Sequence, residues 1–217
     1  AVLAIAAVLA ALLHESLFLG KGLGPADAIL RLSPWALDFG REPSNPLLAD
    51  QYLSFVPVRL FARAHGPFTL WNPFVACGVP AAAWIQAASL YPVNLSLGFL
   101  EPFRAAGLAA FLKLLLAGVF TLLYMRRLGA SWTAALLPGL CFPLSGFMIV
   151  WLGHPHVNAA CLLPALAYAL ERCRTSRSSW KPWAALGAAY GFVLLGGHPP
   201  TAIHLTFFLL AYSGLRW

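Results

Sequence analysis

Charge is what this sequence has least of. Asp, Glu, Lys and Arg make up 10% of its 217 residues, and only seven of them are acidic. A soluble domain carries about a quarter charged residues. With 60% hydrophobic residues and a mean hydropathy of +0.76, a soluble core of this length cannot hide so many apolar side chains. A water-soluble fold is excluded on that count. The four cysteines (Cys77, Cys141, Cys161, Cys173) include no C-x-x-C pair, which removes a disulfide framework and a zinc site. No internal repeat and no low-complexity run is present, and no basic region precedes the first apolar run. A signal peptide is therefore the weaker reading of that run. The chain starts abruptly and ends at Trp217 without a tail, as a fragment of something longer would.

The net charge of +7 does not read as a nucleic-acid surface. Arg126 and Arg127, then Arg172, Arg174, Arg177 and Lys181, sit in short gaps between apolar runs. A nucleic-acid partner would need one contiguous basic face, whereas charge so placed fixes membrane orientation.

Lipid as the solvent implies an all-α polytopic membrane protein, because backbone groups in hydrocarbon must be satisfied within their own segment. Crossing it takes about 20 apolar residues. Six segments qualify as spans: 1–19, 103–124, 132–152, 155–172, 181–197 and 200–215. The turns at 153–155 and 196–200 carry no Lys or Arg. Basic gaps inside and neutral turns outside place the N-terminus in the cytoplasm and residues 20–102 outside. The expected organisation is a single membrane domain over 1–217, made of the extracytoplasmic loop 20–102 and a five-span bundle over 103–217.

The loop differs from the rest. Asp27, Asp38, Glu42, Asp50 and Glu101 balance Lys21, Arg31, Arg41, Arg59 and Arg63, among many Pro, Gly and aromatic residues. The stretch 46–64 reads as an amphipathic interfacial helix with Leu53, Val56, Leu60 and Ala64 as its apolar stripe, kinked or restarted at Pro57.

Asp50 heads that helix beside Gln51 and Tyr52, where a carboxylate suits a general base for a hydroxyl acceptor or a ligand for a divalent metal. The structural alternative is an acid favoured by the helix dipole. Asp38 has similar chemistry, with a loop or capping role as its plainer reading. Lys113 falls near the middle of its span, where a cation is either functional or paired with a carboxylate such as Glu15 or with backbone carbonyls. His154, His156 and His198 stand at the outer ends of spans and suit contact with a polar substrate, a phosphate or a metal, or simple end-capping. The segment through Phe68, Trp71, Asn72 and Pro73, then Gly78-Val79-Pro80, Gln86 and Tyr91-Pro92-Val93-Asn94, has the turn chemistry of an ordered loop and the aromatics of a headgroup-level position.

Asp50-Gln51-Tyr52, Pro57, Trp71-Asn72-Pro73, Gly78-Val79-Pro80, Gln86 and Tyr91-Pro92-Val93-Asn94 form an ordered series. Tyr124 through Gly129, Leu144-Ser145-Gly146-Phe147, Gly153-His154-Pro155-His156, Leu163-Pro164 and Gly197-His198-Pro199 continue it. From about residue 46 to the end, this series resembles the YfhO-like bacterial membrane proteins, which belong to the GT-C class of glycosyltransferases. Ala76-Cys77-Gly78 departs from the Gly-Gly pair that relatives often carry before the Gly-x-Pro turn.

The resemblance implies an inverting transfer of a sugar from a polyprenyl-phosphate donor on the extracytoplasmic face. The acceptor would be an envelope glycopolymer or lipid, and the first large outer loop would supply the catalytic acid. By position that acid is Asp50, with Asp38 as the alternative. Gln51, Arg59, Arg63, Trp71, Asn72, Gln86, Lys113, His154, His156 and His198 are the residues placed to meet the substrates. No cofactor is required by this chemistry, although a divalent metal fits it. A membrane transporter or lipid flippase is the alternative, favoured by Lys113 and the helix count, and a non-catalytic assembly partner is a third.

Overall fold

The computed structural model describes residues 1–217 except Gly40, Arg41, Pro43 and Arg177, and except the side chains of Phe39 and Ala82. Arg41 and Arg177, both used above in weighing charge, thus lie outside the described residues. The chain is mostly helical. It divides into two compact units, one formed by Ala1–Leu13 and Ala110–Trp217, the other by His14–Ala109.

The first unit holds α1 (Val2–Leu12), most of α6 (Pro102–Arg127), α7 (Trp132–Cys141), α8 (Gly146–Val150), α9 (Pro155–Ala160), α10 (Leu163–Thr175), α11 (Lys181–Leu195) and α12 (Pro199–Arg216). Among the described residues, α6 is the one helix long and apolar enough to cross a membrane. It covers the expected span 103–124 without a break. The expected span 200–215 lies wholly within α12, and the remaining expected spans are helical but shorter or divided. The run 132–152 becomes α7 and α8 with a turn between them. Pro143 lacks the N–H that would continue the helix, and its ring clashes with the carbonyl one turn back. The run 155–172 is interrupted at Cys161–Leu162, just before Pro164 opens α10. The run 1–19 breaks at Leu13 into α1 and α2 (His14–Phe18).

Packing in this unit is set by small residues and by buried polar groups. A Cβ on Gly118 of α6 would lie 2.7 Å from the Gly139 carbonyl oxygen of α7 and 2.9 Å from Ile5 Cγ2 of α1. Only glycine lets these backbones approach so closely. Glu171 of α10 is buried at 2% exposure. Its carboxylate accepts from Tyr212 Oη (2.6 Å) and Arg216 Nε (2.7 Å) of α12 and from Arg174 Nε (3.2 Å), while Tyr124 of α6 donates to Tyr212 (2.8 Å). The one acid in the basic 171–181 gap is therefore the hub joining α10 and α12. The four cysteines are free thiols.

In the second unit, short helical turns alternate with loops: a 3-10 turn at Ala26–Arg31, α3 (Trp35–Phe39), another turn at Pro46–Leu48, a wide π-type stretch at Gln51–Phe55, α4 (Val56–His65) and α5 (Pro92–Leu97). A minimal antiparallel pair, β1 (Trp71–Asn72) and β2 (Val79–Pro80), is the sheet among the described residues. Pro57 sits in the first turn of α4 and starts that helix, as a proline with preset φ can.

The face of this segment that packs inside the unit is not its Leu53, Val56, Leu60 stripe. The buried positions of 51–65 are Gln51, Tyr52, Phe55, Val58 and Phe61, whereas Leu53 and Leu60 are exposed and Val56 is half-buried. The larger aromatic side chains take the packed face because they remove more apolar surface from water. Leu53, Val56 and Leu60 are left as a second apolar face.

Candidate functional site

That second face borders a cavity of about 450 Å³ within the His14–Ala109 unit. Val56, Arg59, Leu60 and Arg63 of α4 form one wall; Asn94, Leu95 and Leu97 of α5 and the turn Gly98–Leu100 form another. Pro102, Ala105, Ala106 and Ala109 close it, so the first turns of α6 present only small side chains here. The lining is an apolar trough with two guanidinium groups in it.

The two arginines do different work. Arg63 donates to the Leu100 and Phe99 carbonyl oxygens, so its fork holds the 98–100 turn in place. Arg59 is tied only at Nε, which donates to the Phe55 carbonyl oxygen at 3.3 Å, one turn back. Its terminal nitrogens have no protein hydrogen bond among the described residues. Burial pushes the Arg59 guanidinium below its usual pKa, with the neighbouring Tyr52 opposing that shift. It still remains protonated at neutral pH. A cation with open donors in an apolar trough is suited to an anion carried on an apolar chain.

Asp50 is exposed at the head of the wide stretch and makes no capping hydrogen bond. It does not line the trough. The Arg59 side chain folds back toward Phe55, five residues from Asp50. Wide turns of this kind are uncommon and recur at functional positions. Asp38 is exposed in α3. Gln51 is buried against Gly24, and Tyr52 donates to the Leu23 carbonyl oxygen at 3.1 Å, so this pair clamps the 22–24 loop. Asn72 is buried with its Oδ1 accepting from Phe74 N at 2.9 Å, a turn-forming role. Trp71 and Gln86 are exposed. Asn94, part of the 91–94 segment noted in the sequence but not named as a substrate contact, lines the trough and donates to the Ala88 carbonyl oxygen at 2.9 Å. That bond holds Ala88 in its left-handed conformation.

The first unit brings the three histidines together. The His156 and His198 rings lie 3.7 Å apart between centroids, His154 is 6.1 Å from His156, and Trp151 is 4.7 Å from His156 and 5.1 Å from His154. His198 caps α12: its Nδ1 accepts from Thr201 N at 3.3 Å, and Thr201 Oγ1 lies 2.7 Å away. The proton of the neutral ring therefore sits on Nε2. Burial first, then His156 and His204, holds His198 below its ordinary pKa. Among the described residues, His156 Nδ1 is buried with no hydrogen-bond partner.

Lys113 explains how the two histidine-bearing turns are held. Its Nζ donates to the Leu152 carbonyl oxygen at 2.8 Å and to Asn158 Oδ1 at 3.2 Å, and Asn158 Nδ2 donates to the Gly196 carbonyl oxygen at 3.0 Å. One cation and one amide thus link α6, the 151–154 turn, α9 and the 196–198 turn. The carboxylate proposed above as its partner, Glu15, pairs instead with Lys21 at 2.8 Å. Trp151 and Asn158 escaped notice in the sequence. The legible signal for Asn158 was an amide inside an apolar run, one helical turn beyond His154. Among the described residues, no group of three or more His, Cys, Asp or Glu side chains is arranged to hold a metal ion.

No family model, curated protein or solved structure matches the chain.

Proposed function

We propose that this chain belongs to a multi-pass membrane glycosyltransferase of the GT-C type, similar to the YfhO-like proteins. It would transfer a sugar from a polyprenyl-phosphate donor to a cell-envelope acceptor on the extracytoplasmic face of the bacterial cytoplasmic membrane. The observation that carries the reading is the trough: an apolar groove of about 450 Å³ with Arg59 in its wall. An amphiphile with an isoprenoid chain and a phosphate head has the matching chemistry, the chain against Val56, Leu60, Leu95 and Leu97 and the phosphate on Arg59. Large apolar side chains exposed on the helices, among them Leu3, Leu137, Val150, Leu194 and Leu210, support contact with lipid.

In this reading Asp50 accepts the proton of the acceptor hydroxyl as that oxygen attacks the anomeric carbon. The bond from that carbon to the phosphate oxygen breaks on the opposite face, inverting the centre. The electron pair leaves with the polyprenyl phosphate, whose charge Arg59 meets. Loss of a general base costs about 10²–10⁴ in rate. Sugar consumption from a polyprenyl-phosphate donor should fall by that factor in Asp50→Asn, and undiminished turnover would remove Asp50 from the role.

The buried Lys113 favours a second reading, a transporter or lipid flippase, since an intramembrane cation often marks a substrate path. Solute transport in vesicles without any sugar transfer would select it.

A further inference from the structure

Residues 64–100 contain no Asp, Glu, Lys or Arg. Inside that uncharged stretch, β1 and β2 form a hairpin with Trp71 opposite Pro80 and Asn72 opposite Val79. Two-residue strands do not hold themselves in water, so the tip depends on its turn bonds and its base. At the tip, Gly78 N donates to the Val75 carbonyl oxygen at 2.8 Å, and Asn72 accepts from Phe74 N. Ala76 and Cys77 both take positive φ, 49° and 63°, followed by Gly78 at 113°. A Cβ on Gly78 would lie 2.4 Å from the Trp71 ring, which therefore lies directly over this glycine. At the base, Ala81 N donates to the Leu70 carbonyl oxygen at 2.9 Å, and within the turn Phe74 meets Phe61 and His65 of α4 at 6.2 and 6.1 Å between ring centroids. The turn is well determined, yet Phe68, Leu70 and Phe74 are each about three-quarters exposed and Trp71 is half-exposed.

Four large apolar side chains within seven residues, on a defined turn, make an apolar surface that needs a partner. Two observations select a bilayer over a protein. The stretch offers no charged side chain with which a protein could form ion pairs. The same unit also runs through residues 102–109 into α6, the membrane-length helix, so chain connectivity alone keeps the hairpin within reach of a bilayer that α6 crosses. Trp and its aromatic neighbours are the side chains that favour the headgroup level.

We propose that the 68–77 hairpin tip inserts into the headgroup–acyl boundary of the membrane. The proposal rests on the membrane reading above and adds the surface through which the outer unit grips the lipid. Cys77 lies at the tip and is exposed; Cys141 is also exposed, while Cys161 and Cys173 are buried. With Cys141→Ser and any other accessible thiol replaced, an environment-sensitive fluorophore on Cys77 reports its depth in vesicles of phosphatidylethanolamine and phosphatidylglycerol. Nitroxide-bearing lipids should quench it at least about twofold, with aqueous iodide much less effective, as expected for a group 5–10 Å into the interface. A second protein carrying Leu116→Cys near the middle of α6, with Cys77→Ser and Cys141→Ser, tests insertion itself. Lipid quenching at Leu116→Cys with iodide quenching at Cys77 would overturn the hairpin proposal and leave the membrane reading standing. Iodide quenching at both positions would overturn both.

Discussion

Lys113→Met is a sharp test of how the histidine-bearing turns are held. The substitution keeps the apolar stem and removes the ammonium that donates to the Leu152 carbonyl oxygen and to Asn158 Oδ1. Hydrogen bonds to a charged group contribute about 1.5–3 kcal/mol each in water-soluble proteins. Between membrane helices the average is nearer 0.6 kcal/mol, with a maximum of about 1.7. Relief from burying an ammonium offsets part of the loss. The net expectation is a destabilisation of about 1–3 kcal/mol. Asn158→Leu should cost a similar amount, because it also abandons the Gly196 carbonyl oxygen. Since Lys113 and Asn158 share one bond, the double variant should lose less than the sum, with a coupling of about 1 kcal/mol. Sites that do not communicate add to within about 0.5 kcal/mol. The assay is reversible unfolding in mixed micelles followed by circular dichroism for the parent protein, both single variants and the double variant. Full additivity, or an unchanged midpoint in Lys113→Met, would refute the staple.

Gly118→Ala should destabilise by about 1–3 kcal/mol in the same assay, because its new methyl meets the Gly139 backbone oxygen, which cannot rotate away. Gly187→Ala is the control, since a methyl there meets nothing within 4 Å. His198 titrates below its ordinary 6.5 in the folded state, so the unfolded chain binds the proton more readily. Its contribution is complete above pH 6.5 and is lost as pH falls through 6.5 toward the lower folded value. His198→Asn retains a capping acceptor, and the slope of melting temperature against pH between 5 and 7 should flatten in that variant. Asp38→Asn should leave sugar transfer within about twofold of the parent while Asp50→Asn removes it, on the general-base scale used above.

Periodicity and charge placement made parts of the fold legible. The α6 span could be read end to end because nothing inside its apolar run interrupts a helix. The runs around Pro143 and Pro164 looked continuous by hydropathy, yet backbone chemistry at proline divides them. The helical character and apolar stripe of 46–64 were visible, but the face that packs inside the unit was not. Tyr52, Phe55 and Phe61 bury more area and occupy it, while Leu53 and Leu60 stay exposed. The nearness of His154, His156 and His198 was legible from their places at the starts of α9 and α12. Their partner Trp151 and the Lys113–Asn158 bridge depend on contacts 39 and 45 residues apart, which no local pattern encodes. The trough was invisible for the same reason, since its walls come from 56–63, 94–100 and 102–109.

The central claim is that the trough holds the phosphate end of a polyprenyl-phosphate donor on Arg59. A photoreactive polyprenyl phosphate, equilibrated with the protein in vesicles and followed by peptide mapping, tests it directly. The account predicts labelling within 56–63 or 94–109, competed by unlabelled polyprenyl phosphate but not by the uncharged polyprenol. Arg59→Gln should weaken labelling by about tenfold or more, the effect of losing a charge-assisted hydrogen bond of about 1.5–3 kcal/mol. Labelling confined to other segments, or equal labelling of Arg59→Gln and the parent, would contradict it.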